Sequence, residues 1–242
     1  MIETILLSAS RVFTFAQQQL LTNASGFFFE RNRRLFLVTS RHVVIDEPTG
    51  HHPDRIEIEF HTDAGDMAKS VAFSIPLYLG DERLWRQGVD GGGQVDVAVV
   101  EIEKAALPAS ASYRAFTERH LYSPRDPAAV GTSLLIVGFP LGFHDTLHHM
   151  PVARSAVIAS SFGLRFQGQG CFLTDARTHR GTSGAPVVMP AGLHAASLGD
   201  LPWVLLGVHS AMFDVGSRDI DIDEALGLNC AWYADILMTL TA

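Results

Sequence analysis

Short β-prone runs separated by turn residues recur along nearly the whole chain, and they narrow its fold more than any other feature. In the first half they cover residues 26–29, 35–39, 55–60, 71–79 and 97–102; in the second, 133–137, 153–160, 170–174, 185–188, 204–209 and 228–231. Strands of that length at such spacing build an all-β barrel or sandwich. The stretch from Lys104 to Val130 breaks the rhythm, with Pro108, Pro124 and Pro127 in Ala/Ser-rich filler. It reads as a connector, partly helical over residues 113–120. Near the end, Ile236, Leu237 and Leu240 fall at helical spacing, which predicts a closing helix packed on the second half. The expected division is 1–104, a connector at 105–130, and 131–242.

Chemistry enters at Arg180-Gly181-Thr182-Ser183-Gly184-Ala185-Pro186-Val187. A glycine ahead of a serine lets the backbone curl until successive N–H groups converge on one point. A hydroxyl at that point can attack a carbonyl while the amides of Gly181 and Ser183 hold the oxyanion. The pattern alone also fits an ordinary Gly/Ser/Pro turn. Two other segments favour the chemical reading: His42 lies in Leu37-Val38-Thr39-Ser40-Arg41-His42-Val43-Val44, and Asp96 opens the apolar run Val97 to Ile102. Taken alone, His42 would pass for a core histidine and Asp96, after Asp90-Gly91-Gly92-Gly93, for a turn residue. An aspartate leading into a buried strand, however, must be paired. A serine hydroxyl needs a base within reach, and that base needs a group to fix its tautomer.

The chain order His42, Asp96, Ser183 is that of chymotrypsin-type enzymes and not that of subtilisins or α/β-hydrolases. Ala185 stands where the hydrolase elbow needs glycine, and a strand rather than a helix follows the serine. The chain resembles the trypsin-like serine peptidases, especially the bacterial high-temperature-requirement type. Ser25 to Phe29 with Leu35 to Val44 is similar to that family's opening hairpin and "TxxHVV" turn. Residues 96–102 resemble its "DIALLKI" strand, Val137 to Gly142 its "GxPxG" loop, and Leu206 to Ala211 the strand lining its cleft; Thr174-Asp175-Ala176 sits at the family's distance before the serine. The resemblance implies two six-stranded antiparallel β-barrels with a C-terminal helix. It implies His42 as base, Asp96 as its orienter and Ser183 as nucleophile. It also implies that Ser210 bonds the aspartate and that Thr178, His209, Ser210 and Ala211 line the substrate cleft. Thr178 and His209 match positions where glutamyl endopeptidases grip an acidic side chain, which implies cleavage after Glu or Gln. Thr182 replaces the aspartate with which secreted trypsins pair a new N-terminus, so the oxyanion hole is expected to be ordered by other means.

The alternatives are a catalytically silent peptide-binding module of the same fold and an esterase. The chain has 242 residues, 47% hydrophobic, enough for one large or two small cores. A net charge of -8 argues against nucleic acid as partner. Cys171 and Cys230 sit in apolar contexts and read as buried thiols. His51-His52 and residues 144–149 read as loop histidines, without an acidic or cysteine ligand to complete a tetrahedral metal site. No cofactor is expected. The N-terminus lacks the pattern of a signal peptide and no run reaches membrane-spanning length, so a cytoplasmic setting is expected. A PDZ domain of the kind many such relatives carry is not expected after residue 242. Targeting is then expected to fall to loops, a homo-oligomer or a separately encoded partner protein.

Overall fold

A computed structural model describes residues 2–124, 126, 128–210 and 227–242. The N-terminal half is built from β1 (Ala9–Ala16), β2 (Gln19–Arg31), β3 (Arg34–Thr39), β4 (Arg55–His61), β5 (Ser70–Pro76), the short β6 (Tyr78–Leu79) and β7 (Glu82–Arg83), β8 (Trp85–Asp90) and β9 (Gly93–Ile102). The C-terminal half contains β10 (Ser133–Gly138), β11 (Val152–Ile158), β12 (Cys171–Asp175), β13 (Pro186–Pro190), β14 (Trp203–Ser210) and β15 (Leu228–Tyr233). These last six close into an antiparallel barrel in the order β10-β11-β12-β15-β14-β13. The N-terminal strands form a seven-stranded antiparallel sheet, β5-β4-β1-β2-β3-β9-β8, rather than a second six-stranded ring, and β6 and β7 form a separate two-stranded sheet. The architecture is all-β and chymotrypsin-like.

Side-chain alternation explains why the central strands read as unbroken apolar runs. Successive residues of a strand face opposite sides of the sheet, so a strand covered on both sides must be apolar throughout. Phe28, Leu35, Leu37, Val100 and Ile102 fill the core of the N-terminal sheet with Val12, Ile56, Ile58 and Phe60. Their neighbours Phe27, Phe29, Phe36, Val38, Val97 and Val99 turn the other way, onto Val137, Val188, Leu205, Val208 and Trp232 of the barrel. The barrel's own interior holds Ile136, Phe172, Val187, Leu206 and Ala231. Each fully buried phenylalanine contributes roughly 1.5–3 kcal/mol. The seam between the two halves is thus a third core, and the site lies at its edge.

Two expectations need correction. Among its described residues the connector turns as 3-10 helix at Lys104–Ala106 and Glu118–His120, and 113–117 is not helical. The chain there is held instead as a strap, with Phe116 N donating to Phe28 O and Glu30 N to Phe116 O. The closing segment is a 3-10 turn (Ala234–Ile236) followed by α2 (Leu237–Leu240), after the earlier turn α1 (Arg41–Val44). It does not rest on the barrel alone. Leu237 and Leu240 enter the seam beside Val99, and Arg86 of β8 donates to Leu240 O at 3.2 Å. Both cysteines are free and buried.

Candidate active site

The β3–β9 register brings His42 and Asp96 together. Val38 faces Val99 and Thr39 faces Ala98. Pairing then stops because the chain after Thr39 winds into α1, and the continuing β9 carries Asp96 beneath that turn. His42 N donates to Asp96 Oδ1 at 2.9 Å, and His42 Nδ1 lies 2.7 Å from Asp96 Oδ2. A carboxylate on Nδ1 fixes the tautomer that leaves Nε2 free to accept a proton. Ser210 Oγ donates to the same Oδ2 at 2.7 Å. Burial alone would push His42 down; the charge of Asp96 and its hydrogen bond outweigh that, with Asp46 assisting and Arg41 opposing, and the net shift is upward. Arg41 is turned aside by Glu47 at 2.8 Å and by Gln87 at 2.6 Å. His51, one of the loop histidines, lies 3.0 Å from Val43 O and braces the turn from behind.

Ser183 sits across the seam from this pair. Ser25 N donates to Ser183 O at 3.0 Å, Gly184 N to His209 O at 2.8 Å, and His209 N to Ala185 O at 2.8 Å. Ser40 Oγ also reaches His209 O, at 3.2 Å, which ties the histidine turn to the strand behind the serine. Ser183 is 6% exposed. Its hydroxyl makes no hydrogen bond among the described residues, so contact with His42 Nε2 requires the closer approach that catalytic groups commonly make on binding substrate.

The loop before Ser183 presents two donors. Thr182 N is occupied by His179 O at 3.2 Å. The amides of Gly181 and Ser183 donate to no group among the described residues, as an oxyanion cradle requires. Gly181 holds a φ of +89°, and a Cβ there would stand 2.6 Å from Phe139 O and 3.1 Å from Leu141 N. Only glycine fits. Two hydroxyls order the loop without an ion pair: Thr182 Oγ1 donates to His179 O at 2.8 Å, and Ser25 Oγ donates to Gly181 O at 2.7 Å. Ser25 Oγ also accepts from Phe139 N at 2.9 Å. Sequence reasoning placed Ser25 only in a hairpin. The signal was a serine inside an apolar strand, where a buried hydroxyl must have partners.

His209 is fully buried, and neither ring nitrogen finds a partner among the described residues. Burial, then the nearby charge of His42, pushes it down to about 3, so it is neutral near pH 7. Thr178 is half-buried and its hydroxyl donates to Asn229 Oδ1 at 2.6 Å. Ala211 lies outside the described residues. Among the described residues no three His, Cys, Asp or Glu side chains are arranged to hold a metal ion. His144 and His148 serve local bonds, to Gly142 O at 2.6 Å and Asp145 Oδ2 at 2.7 Å.

Residues 24–193 match the family described as the trypsin-like peptidase domain. No curated protein sequence matches the chain. Among solved structures, the serine endoprotease of Yersinia pestis aligns with a TM-score of 0.56 and 15% identity over 98% of this chain, which spans 62% of the Yersinia chain's length. The inactive form of Rv3671c from M. tuberculosis aligns with a TM-score of 0.50 and 16% identity, over 98% of this chain and 86% of that one. At such identities the likeness concerns the fold.

Proposed function

The chain belongs to the trypsin-like peptidase family, and from that premise we propose that it is a serine endopeptidase cutting proteins or peptides through an acyl-enzyme on Ser183. The observation that carries the proposal is the relay from Ser210 to Asp96 to His42, held at 2.7 Å at each link, at the seam that also holds Ser183. His42 takes the Ser183 proton as Oγ attacks the carbonyl, Gly181 and Ser183 amides receive the oxyanion, and His42 returns the proton to the leaving amine. Asp96 stabilises the imidazolium formed on the way. The test is covalent labelling by a fluorophosphonate. The wild-type protein should label and Ser183→Ala should not; a protein that stays unlabelled at Ser183 is a binding module instead. Hydrolysis of esters without peptides would indicate the esterase.

Activity should fall as pH is lowered through the raised pKa of His42, because only the neutral ring accepts the serine proton. The acid limb of kcat/KM is therefore expected above the ordinary histidine value of about 6.5. Removing the charge in Asp96→Asn should move what activity remains to a limb at lower pH. A limb in the wild type centred below about 6 would contradict the assignment of His42 as base.

For specificity we propose cleavage after Gln or Glu. Support comes from the His209 ring, which has no partner among the described residues, and from the direction of the Thr178 bond. Asn229 Nδ2 donates to Ala176 O at 2.8 Å and to Gly227 O at 3.1 Å, which turns its Oδ1 toward Thr178. The Thr178 proton is thereby engaged and only its lone pairs are free. A neutral imidazole N–H and a hydroxyl acceptor match the C=O and NH2 of a primary amide, so Gln is expected ahead of Glu. Peptides differing only at that residue decide the matter. Equal or faster cutting after Val or Ala rejects it.

A further inference from the structure

The loop joining β10 to β11 carries three exposed apolar side chains in a short span: Leu141 and Phe143, each 68% exposed, and Leu147, 63% exposed. Exposed leucines scattered singly need no explanation; a cluster does. This loop is not loose. Gly142 N donates to Phe139 O at 2.9 Å, Phe143 N to Pro140 O at 2.7 Å, and Asp145 N to Met150 O at 3.1 Å. His61 Nε2 sits 2.7 Å from His148 O and ties the far end to β4. Leu141 itself holds a φ of +54°, a left-handed conformation uncommon for any residue with a side chain. Strained residues of this kind concentrate at ligand clamps and active sites. The structure thus fixes these side chains in water instead of letting them fold away.

Their position supplies the reason. Leu141 N donates to Arg180 O at 2.6 Å, next to the amide of Gly181. Asn23 of β2 borders the same point, 3.0 Å from where a Gly181 Cβ would be. On the peptidase reading, the acyl side chain points to Thr178 and His209, on the barrel. The fourth substituent of the attacked carbon, the leaving amine, must then face His42 and the N-terminal sheet; on that side Asn23 of β2 comes within 3.7 Å of where a Cβ would stand on Gly142, the residue between Leu141 and Phe143. We propose that Leu141 and Phe143 form an apolar subsite for the residues just after the scissile bond, so that the enzyme favours substrates with aliphatic or aromatic residues there. This rests on the reading of Ser183 as an acyl-forming nucleophile.

The test uses the acyl-enzyme itself. Blocked glutamine, glutamate and valine p-nitrophenyl esters load Ser183, and Leu-Leu amide or Gly-Gly amide then competes with water. The acceptor amine forms a C–N bond as the bond to Ser183 Oγ breaks, and its proton passes through His42 to Oγ. Leu-Leu amide should divert the acyl group at least about tenfold more effectively than Gly-Gly amide, as apolar pockets discriminate. Leu141→Asn, a residue that tolerates left-handed φ, and Phe143→Ser should each shrink that ratio toward one. The ratio compares two fates of one intermediate and so does not depend on how much protein is folded. Ester turnover with equal use of both acceptors in the wild type overturns the subsite alone. Selectivity that both variants retain overturns the assignment to these residues. Absence of any ester turnover or Ser183 label overturns the peptidase reading together with it.

Discussion

Replacing His42 by alanine should lower kcat by about 10⁴–10⁶ while leaving KM within a few-fold. His42 Nδ1 is held 2.7 Å from Asp96, which leaves Nε2 as the nitrogen with a free lone pair. His209 cannot take over, because burial and the charge of His42 push it down to about 3, too weak a base for the serine proton, and its backbone carbonyl, not its ring, meets Gly184 N and Ser40 Oγ. Without the base, Ser183 must attack as a neutral hydroxyl. What survives is the oxyanion cradle and substrate positioning, which act without the relay. The loss should be strongly non-additive: His42→Ala with Ser183→Ala should be scarcely worse than either alone. Steady-state rates on a peptide cut by the wild type, with active sites titrated by fluorophosphonate, measure this. If His42→Ala keeps more than about a tenth of wild-type kcat, the relay is not the catalytic apparatus.

The parts of this site that were readable in advance are those whose signals are local. A histidine closing an apolar strand, an aspartate opening one, and a serine between two glycines each announce themselves within a few residues. The strands on either side of them were readable for the same reason. What stayed hidden depends on partners far along the chain. Ser25 Oγ connects Gly181 O and Phe139 N, positions 156 and 114 residues away, and no short window contains that information. Three strands also escaped, the two-residue β7 among them. β1, Ala9–Ala16, follows no turn signal that would mark its start. β8, Trp85–Asp90, carries Gly88, which reads as a breaker; a Cβ there would come within 3.1 Å of Ile236 Cδ1, so the glycine seats the C-terminal segment. The partly helical reading of 113–120 survives only as the 3-10 turn at Glu118–His120, because Tyr113 and Phe116 are drawn into two different cores. Tertiary burial there outweighs local propensity.

The glycine after Ser183 tests the seam itself. Gly184→Ala should destabilise the protein by about 4 kcal/mol or more, beyond the range of ordinary point changes. Gly184 holds a φ of +87°, and an added Cβ would overlap Ser25 O and Thr39 Oγ1 and stand 2.8 Å from Thr39 Cα. Ser25 O and Thr39 Cα belong to the backbone, which cannot swing away as a flexible side chain would. Thr39 Oγ1 is engaged too, donating to Ser25 O at 2.8 Å. Relief would have to separate β2 and β3 from the serine loop. That movement breaks the bond from Ser25 N to Ser183 O and opens the packing of Phe27 and Val38 on Val208. In a protein of this size each kcal/mol moves the midpoint of thermal unfolding by about 2–4 °C, so a fall of roughly 10 °C or failure to fold is expected. Gly91→Ala is the matched comparison, since Gly91 has ordinary φ and nothing within 4 Å of its would-be Cβ. It should change stability by less than about 0.5 kcal/mol. Equal melting of the two variants would mean that the serine loop does not press on the end of β3, and the two halves would then lack the fixed contact that sets Ser183 against His42.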